Sequence, residues 1–295
     1  MTPTIPGFDG RTVRAGGLDL HVAAAGEGPP LLLLHGFPQT HLAWRRVAPA
    51  LADRFHVVCP DLPGYGASDG PDGGHEHYAK RTTAATMVSL MRRLGHERFS
   101  VVGHDRGALV AFRAALDHPA VVERLGVIDV IPATDMWASL RGVGGVFAFH
   151  LYFLAQPGDL PERVIGADSD TFFGHFLDAW VDGPDVIRAD VREAYLAAAR
   201  RPAAIHAICQ DYRAGAFVDA VHDDEDRRAG RLIRAPTLAI WQDPGDVVLP
   251  FDPAAVWREW APDLSTLTLP GGHFLPEAQP EAVTAAIEEL LGRPG

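Results

Sequence analysis

Short apolar runs alternate along the chain with longer stretches in which apolar residues return every three or four positions. Leu31–Leu34, Val57–Cys59, Ser100–Val102 and Leu125–Val130 are brief runs bounded by turn residues, the pattern of strands buried on both faces of a parallel sheet. Leu18–Ala25 alternates loosely and is expected to form an early, exposed edge strand. His41–Asp53, Lys80–Leu94 and Ala108–Asp117 carry the spacing of amphipathic helices. Strand followed by helix, repeated, predicts right-handed crossovers and a parallel sheet covered on both sides.

After Val130 that rhythm stops. Positions 132–231 read as helices rich in aromatics, among them Phe149, Phe153, Phe172, Phe173 and Phe176, without a convincing strand. Thr237–Trp241 and Thr266–Leu269 then read as two further strands, and Pro280–Leu291 as a closing helix. The expected organisation is an α/β core over residues 1–131 and 232–295, interrupted by a helical cap over 132–231.

Composition narrows the function classes. The 295 residues hold 26 Lys and Arg against 38 Asp and Glu, a formal net charge of −12, so neither nucleic acid nor an anionic membrane is an expected partner. Lys80 is the sole lysine. Cys59 and Cys209 are too far apart in sequence, and too few, to suggest a disulfide framework or a zinc cluster. No leader pattern is seen at Met1–Gly10, and the longest apolar run is far too short to span a bilayer. A cytoplasmic protein acting on a small molecule, without metal or cofactor, is the expectation.

Gly103-His104-Asp105-Arg106-Gly107 follows a strand and opens a helix. Glycines two before and two after the central residue permit the tight strand-to-helix turn called a nucleophile elbow. Here the central residue is Asp105 rather than serine. A carboxylate can displace a leaving group from a saturated carbon and form an ester that activated water hydrolyses. His273, in the loop after the last strand, is the candidate base, and a base needs an acid to fix its tautomer. Asp129 ends the strand after the elbow, Asp246 lies in the loop after Thr237–Trp241, and both remain candidates. The loop His35-Gly36-Phe37-Pro38 can offer a backbone N–H which, with that of Arg106, would hold an oxyanion.

These residues resemble the α/β-hydrolase superfamily, in its Asp-nucleophile branch, and most closely the haloacetate (fluoroacetate) dehalogenases. The resemblance covers essentially the whole chain: His35–Thr40, Asp61–Ser68, Gly103–Gly107, His150 with Phe153–Pro157, Asp211–Ala216 and Gly272–Glu277. It implies an eight-stranded, mostly parallel sheet with an inserted helical cap, and a homodimer. It also implies Asp105 as nucleophile, His273 as base and Asp129, in preference to Asp246, as its acid. Arg106 would grip a substrate carboxylate, His150 and Tyr212 would bind the departing halide, and Phe37 and Trp180 would line the pocket or its entrance. Two positions depart from that pattern: Leu109 stands where a second arginine is usual, and Leu151 where a tryptophan follows the halide-site histidine. Lost hydrogen bonds to charged groups predict weak defluorination and leave room for a larger or less acidic substrate.

The rival reading is an epoxide hydrolase on the same fold, which would want a tyrosine where His150 stands; a non-catalytic small-molecule binder is the other. His75-Glu76-His77 is read as an exposed loop, and the acidic run His222–Asp226 as a solvated turn.

Overall fold

In a computed structural model, residues 4–243 and 250–293 are described. In chain order the elements are β1 (Asp9–Ala15), β2 (Leu18–Ala25), β3 (Pro30–Leu34), α1 (Ala48–Leu51), β4 (His56–Pro60), α2 (Lys80–Arg93), β5 (Phe99–His104), α3 (Arg106–Asp117) and β6 (Val122–Ile128). Helices α4 (Ala133–Ser139), α5 (Val143–Phe147), α6 (Phe149–Leu154), α7 (Leu160–Ala167), α8 (Ser169–Ala179), α9 (Ala189–Ala199), α10 (Pro202–Ala214) and α11 (Ala220–Arg228) follow, with a π-helical turn at Gly215–Asp219. Then come β7 (Thr237–Gln242), α12 (Pro253–Trp260), β8 (Leu264–Leu269), α13 (Leu275–Ala278) and α14 (Pro280–Gly292).

The eight strands form one sheet in the order β1-β2-β4-β3-β5-β6-β7-β8. β2 runs antiparallel to both β1 and β4, and every other neighbouring pair is parallel. β5 is buried at all its positions, as expected of a central strand covered on both faces. The reversal of winding between β3 and β5 puts a crevice at the strands' C-terminal ends, where α/β sheets bind ligands. Among the described residues the segment between β6 and β7 is helical and holds no strand.

Four expectations need correction. Leu18–Ala25 forms β2 but is not the edge; β1 lies outside it, and the solvent-facing DGRTVRA sequence of β1 carries no apolar alternation to betray it. His41–Asp53 is not one helix. It is a 3-10 turn, His41–Trp44, followed by α1, because Pro49 lacks an N–H and its ring would collide with a preceding helical carbonyl. Strand β6 begins at Val122 and stops at Ile128, so Asp129 stands just beyond it. The run His222–Asp226 is no solvated turn: it lies in α11, with Asp223 and Asp226 buried against Arg113. His75–Tyr78 is a single 3-10 turn, and Asp246 lies outside the described residues. Among the described residues no helix is long and apolar enough to cross a membrane.

Candidate active site

The turn from β5 into α3 sets Asp105 at φ 49°, a left-handed conformation that side-chain-bearing residues seldom adopt. Its two flanking glycines are sterically required. A Cβ on Gly103 would lie 2.3 Å from the Gly107 carbonyl oxygen, and one on Gly107 would lie 2.4 Å from that of His35. The tight turn aims the Asp105 carboxylate into a cavity of about 320 Å³ between the sheet and the helical segment.

The two carboxylate oxygens have different surroundings. Oδ1 accepts a hydrogen bond from the backbone N–H of Phe37 at 2.7 Å. Oδ2 lies 3.8 Å from Nε2 of His273, too far for a direct hydrogen bond and close enough for one water to touch both. Gly36 allows this arrangement, since a Cβ there would come within 2.5 Å of the Asp105 Cβ. The Phe37 side chain itself is not in the cavity wall; it is fully buried among Phe173, Phe176, Trp180 and Tyr212, so the residue's contribution to the site is its backbone.

His273 is held from three sides. Its Nδ1 lies 2.6 Å from Oδ2 of Asp129. Its backbone N–H donates to the Trp180 carbonyl at 2.8 Å, and its own carbonyl accepts from Nε2 of His104 at 2.8 Å. Close docking on Trp180 depends on Gly272, where a Cβ would meet the Trp180 carbonyl at 2.2 Å. Burial alone would lower the pKa of His273, but the hydrogen bond and charge of Asp129, with Asp105 beyond, hold it above 6.5. Asp129 has φ 54° and receives two further hydrogen bonds from Gln242, from the backbone at 3.2 Å and from Nε2 at 2.8 Å. Gln242 is a site contact that no sequence motif announced, while His104, inside the elbow motif, and Trp180, expected in the lining, hold His273 through contacts not read from sequence.

The opposite wall includes His150 and Tyr212. Burial drives the His150 pKa down to about 3, so its ring is neutral, and Nδ1 has no hydrogen-bond partner. Burial raises the Tyr212 hydroxyl well above its ordinary value, which keeps it protonated. Both rings are therefore hydrogen-bond donors without charge.

Arg106 also lines the cavity, with its charge partly committed. Nε donates to Oδ2 of Asp211 at 2.7 Å, Nη2 donates to the Asp211 carbonyl at 2.9 Å, and the guanidinium carbon lies 4.3 Å from the centre of the Tyr212 ring. Nη1 makes no hydrogen bond among the described residues. Asp211 also accepts from Nζ of Lys80, which in turn lies 3.5 Å from Asp219. Leu109, Leu151 and Trp180 complete the expected set, and all three line the same cavity. Among the described residues the one trio with metal-binding spacing is His21, His41 and Asp61, and none of it faces this cavity.

The chain matches the α/β-hydrolase fold family over residues 29–278. A fluoroacetate dehalogenase of Burkholderia sp is 42 % identical, over 97 % of this chain and 94 % of that one. A soluble epoxide hydrolase of Corynebacterium sp. (strain C12) is 32 % identical, over 90 % and 91 %. Among solved structures, a protein of Nostoc sp PCC 7120 provisionally described as an α/β hydrolase superposes with a TM-score of 0.94 at 40 % identity, covering 99 % of this chain and 100 % of that one. The chain belongs to the α/β-hydrolase family, with a fluoroacetate dehalogenase and an epoxide hydrolase both among its relatives.

Proposed function

We propose that this hydrolase cleaves carbon–halogen bonds of small halogenated carboxylic acids through an ester on Asp105. The observation that carries the reading is the asymmetry of the Asp105 carboxylate: Oδ1 is fixed by the Phe37 N–H while Oδ2 faces the cavity beside His273. Oδ2 attacks the halogen-bearing carbon from the side opposite the halogen. The carbon–oxygen bond forms as the carbon–halogen bond breaks, and the halide leaves with the electron pair toward Tyr212 and His150. No proton moves in this step.

His273 then takes a proton from water, and the resulting hydroxide adds to the Asp105 ester carbonyl. Oδ1 becomes the oxyanion on the Phe37 and Arg106 N–H groups. Asp129 stabilises the imidazolium, as its short contact with Nδ1 requires. Collapse releases a hydroxy acid and restores the carboxylate, and the proton passes from His273 to solvent. The helical layer over residues 132–231 serves as the cap that closes this chamber, and water and the small acid are the only partners the chemistry needs.

The leaving group separates this reading from epoxide hydrolysis. A halide needs hydrogen bonds, whereas an opening epoxide must receive a proton on its alkoxide. Tyr212 could serve either task, but a neutral His150, standing where an epoxide hydrolase would want a tyrosine, is suited to the first. Incubation with chloroacetate, bromoacetate and styrene oxide decides the matter. Halide release without diol supports the proposal, and diol formation without halide overturns it. With Asp105→Asn, halide release is expected to stop.

A further inference from the structure

Arg106 is already partly engaged before any carboxylate arrives. Two of its five N–H donors, the one on Nε and one on Nη2, are already on Asp211, which takes the side-on fork and leaves a carboxylate only the end-on pair of Nη1 and Nη2 hydrogens. The buried group of Arg106, Asp211, Lys80 and Asp219 holds two cations and two carboxylates, so it presents no net positive charge. An acid is therefore held by one end of a single arginine whose charge is already balanced.

The cavity supplies a different kind of attraction beside that anchor. Leu109 lies one helical turn beyond Asp105, and with Ile131, Met136, Trp137, Ala148 and Leu151 it forms an apolar recess. The cavity's 320 Å³ suits a ligand well above the size of a two-carbon acid. Leu109 and Leu151 supply two of its apolar side chains.

We propose that this recess is an alkyl subsite, and that the preferred substrates are 2-haloalkanoic acids with an unbranched apolar chain rather than haloacetates; this rests on the dehalogenase reading. The stereochemistry follows from three fixed directions at the substrate's second carbon. Backside attack by Oδ2 fixes the halogen toward Tyr212 and His150, and the free N–H groups of Arg106 fix the carboxylate. Only one enantiomer then directs its chain into the recess, while the other directs hydrogen there.

The test is kcat/KM for chloride release from chloroacetate and racemic 2-chloropropanoate, 2-chlorobutanoate and 2-chlorohexanoate, with chiral analysis of what remains. The expected result is a rise of about fourfold for each added CH₂, the fold-change equivalent of about 0.8 kcal/mol, with racemates stopping at half conversion. Leu151→Trp fills the recess and is expected to collapse the preference for the long chain over chloroacetate at least tenfold. Leu109→Arg, a second and independent variant, is expected to raise chloroacetate turnover relative to 2-chlorohexanoate by a similar factor. Chloride release that is flat or falls with chain length, or that consumes both enantiomers equally, overturns the alkyl subsite and leaves the dehalogenase reading standing. No halide from any acid overturns both.

Discussion

Oδ1 of Asp105 lies 2.7 Å from the backbone nitrogen of Phe37, so one oxygen of the carboxylate is held before any substrate arrives. In the proposed mechanism the same hydrogen bond follows that oxygen from carboxylate to ester carbonyl to tetrahedral oxyanion without rearrangement. Preorganisation of this kind avoids reorientation of donors at the moment charge develops.

If the ester forms without proton transfer and is hydrolysed only with a base, His273→Ala should separate the two steps. One equivalent of halide per enzyme is expected in a burst, followed by turnover slowed by about 10²–10⁴-fold. Intact-mass measurement should find the acyl fragment attached, and peptide mapping should place it on Asp105. A variant that releases no halide at all would count against this order of events.

The pH dependence has a definite sign. As the proposed base, His273 would work only when neutral, and its pKa lies above 6.5, so turnover should rise with pH through that raised value. Replacing Asp129 with Asn removes the interactions that lift it. The ionisation limb should then move toward lower pH while the plateau rate falls, a combination that simple unfolding does not produce. Initial rates of chloride release between about pH 5 and pH 9 provide the measurement.

Fluoride should leave more slowly than chloride or bromide. With Leu151 beside His150, the halide side of the cavity has one donor fewer than a tryptophan would provide, and a hydrogen bond to a charged group is worth about 1.5–3 kcal/mol. Fluoride release from fluoroacetate should trail chloride release from chloroacetate by about 10- to 100-fold. Comparable rates in an ion-selective electrode assay would refute it.

Asp211 joins the helical segment to the core by accepting from both Arg106 and Lys80. Asp211→Asn leaves two cations buried without their counter-charge and should cost about 3–5 kcal/mol in urea unfolding. The wild type should also show the acid sensitivity of this contact. Although burial works the other way, the charges of Arg106 and Lys80 bring the Asp211 pKa to about 2 in the folded protein, against an ordinary value of 3.8. The stability it contributes is complete above 3.8 and is lost as pH falls toward 2. Asp61, likewise near 2 through His41, behaves the same way.

The parts of this molecule that sequence made legible are those where backbone geometry restricts residue choice. The elbow at Asp105 needs glycines at 103 and 107, and buried strands need unbroken apolar runs, so both left local marks. The position of His273 in a late loop was equally plain, and its contact with Asp129 joins residues 144 positions apart. What stayed hidden depends on long-range contact alone. Gln242 looks like the end of any strand, yet it supplies two donors to Asp129. Glu277 and Tyr195 are buried partners that nothing in their neighbourhoods predicts. Charge misled in the other direction at His222–Asp226, because acidic residues read as solvated until an arginine such as Arg113 is seen beside them. β1 is illegible for a related reason: an edge strand whose first four residues are exposed writes too little hydrophobic pattern.

Lys80 is the only lysine in the chain, and at 1 % exposure it is enclosed between core and helical segment. The folded surface therefore carries no side-chain amine. Amine-reactive crosslinkers and labels have no lysine to attack while the fold is closed, and a lysine-specific protease has a single cleavage point that only opening can expose. The appearance of its two fragments would thus time the parting of the two layers.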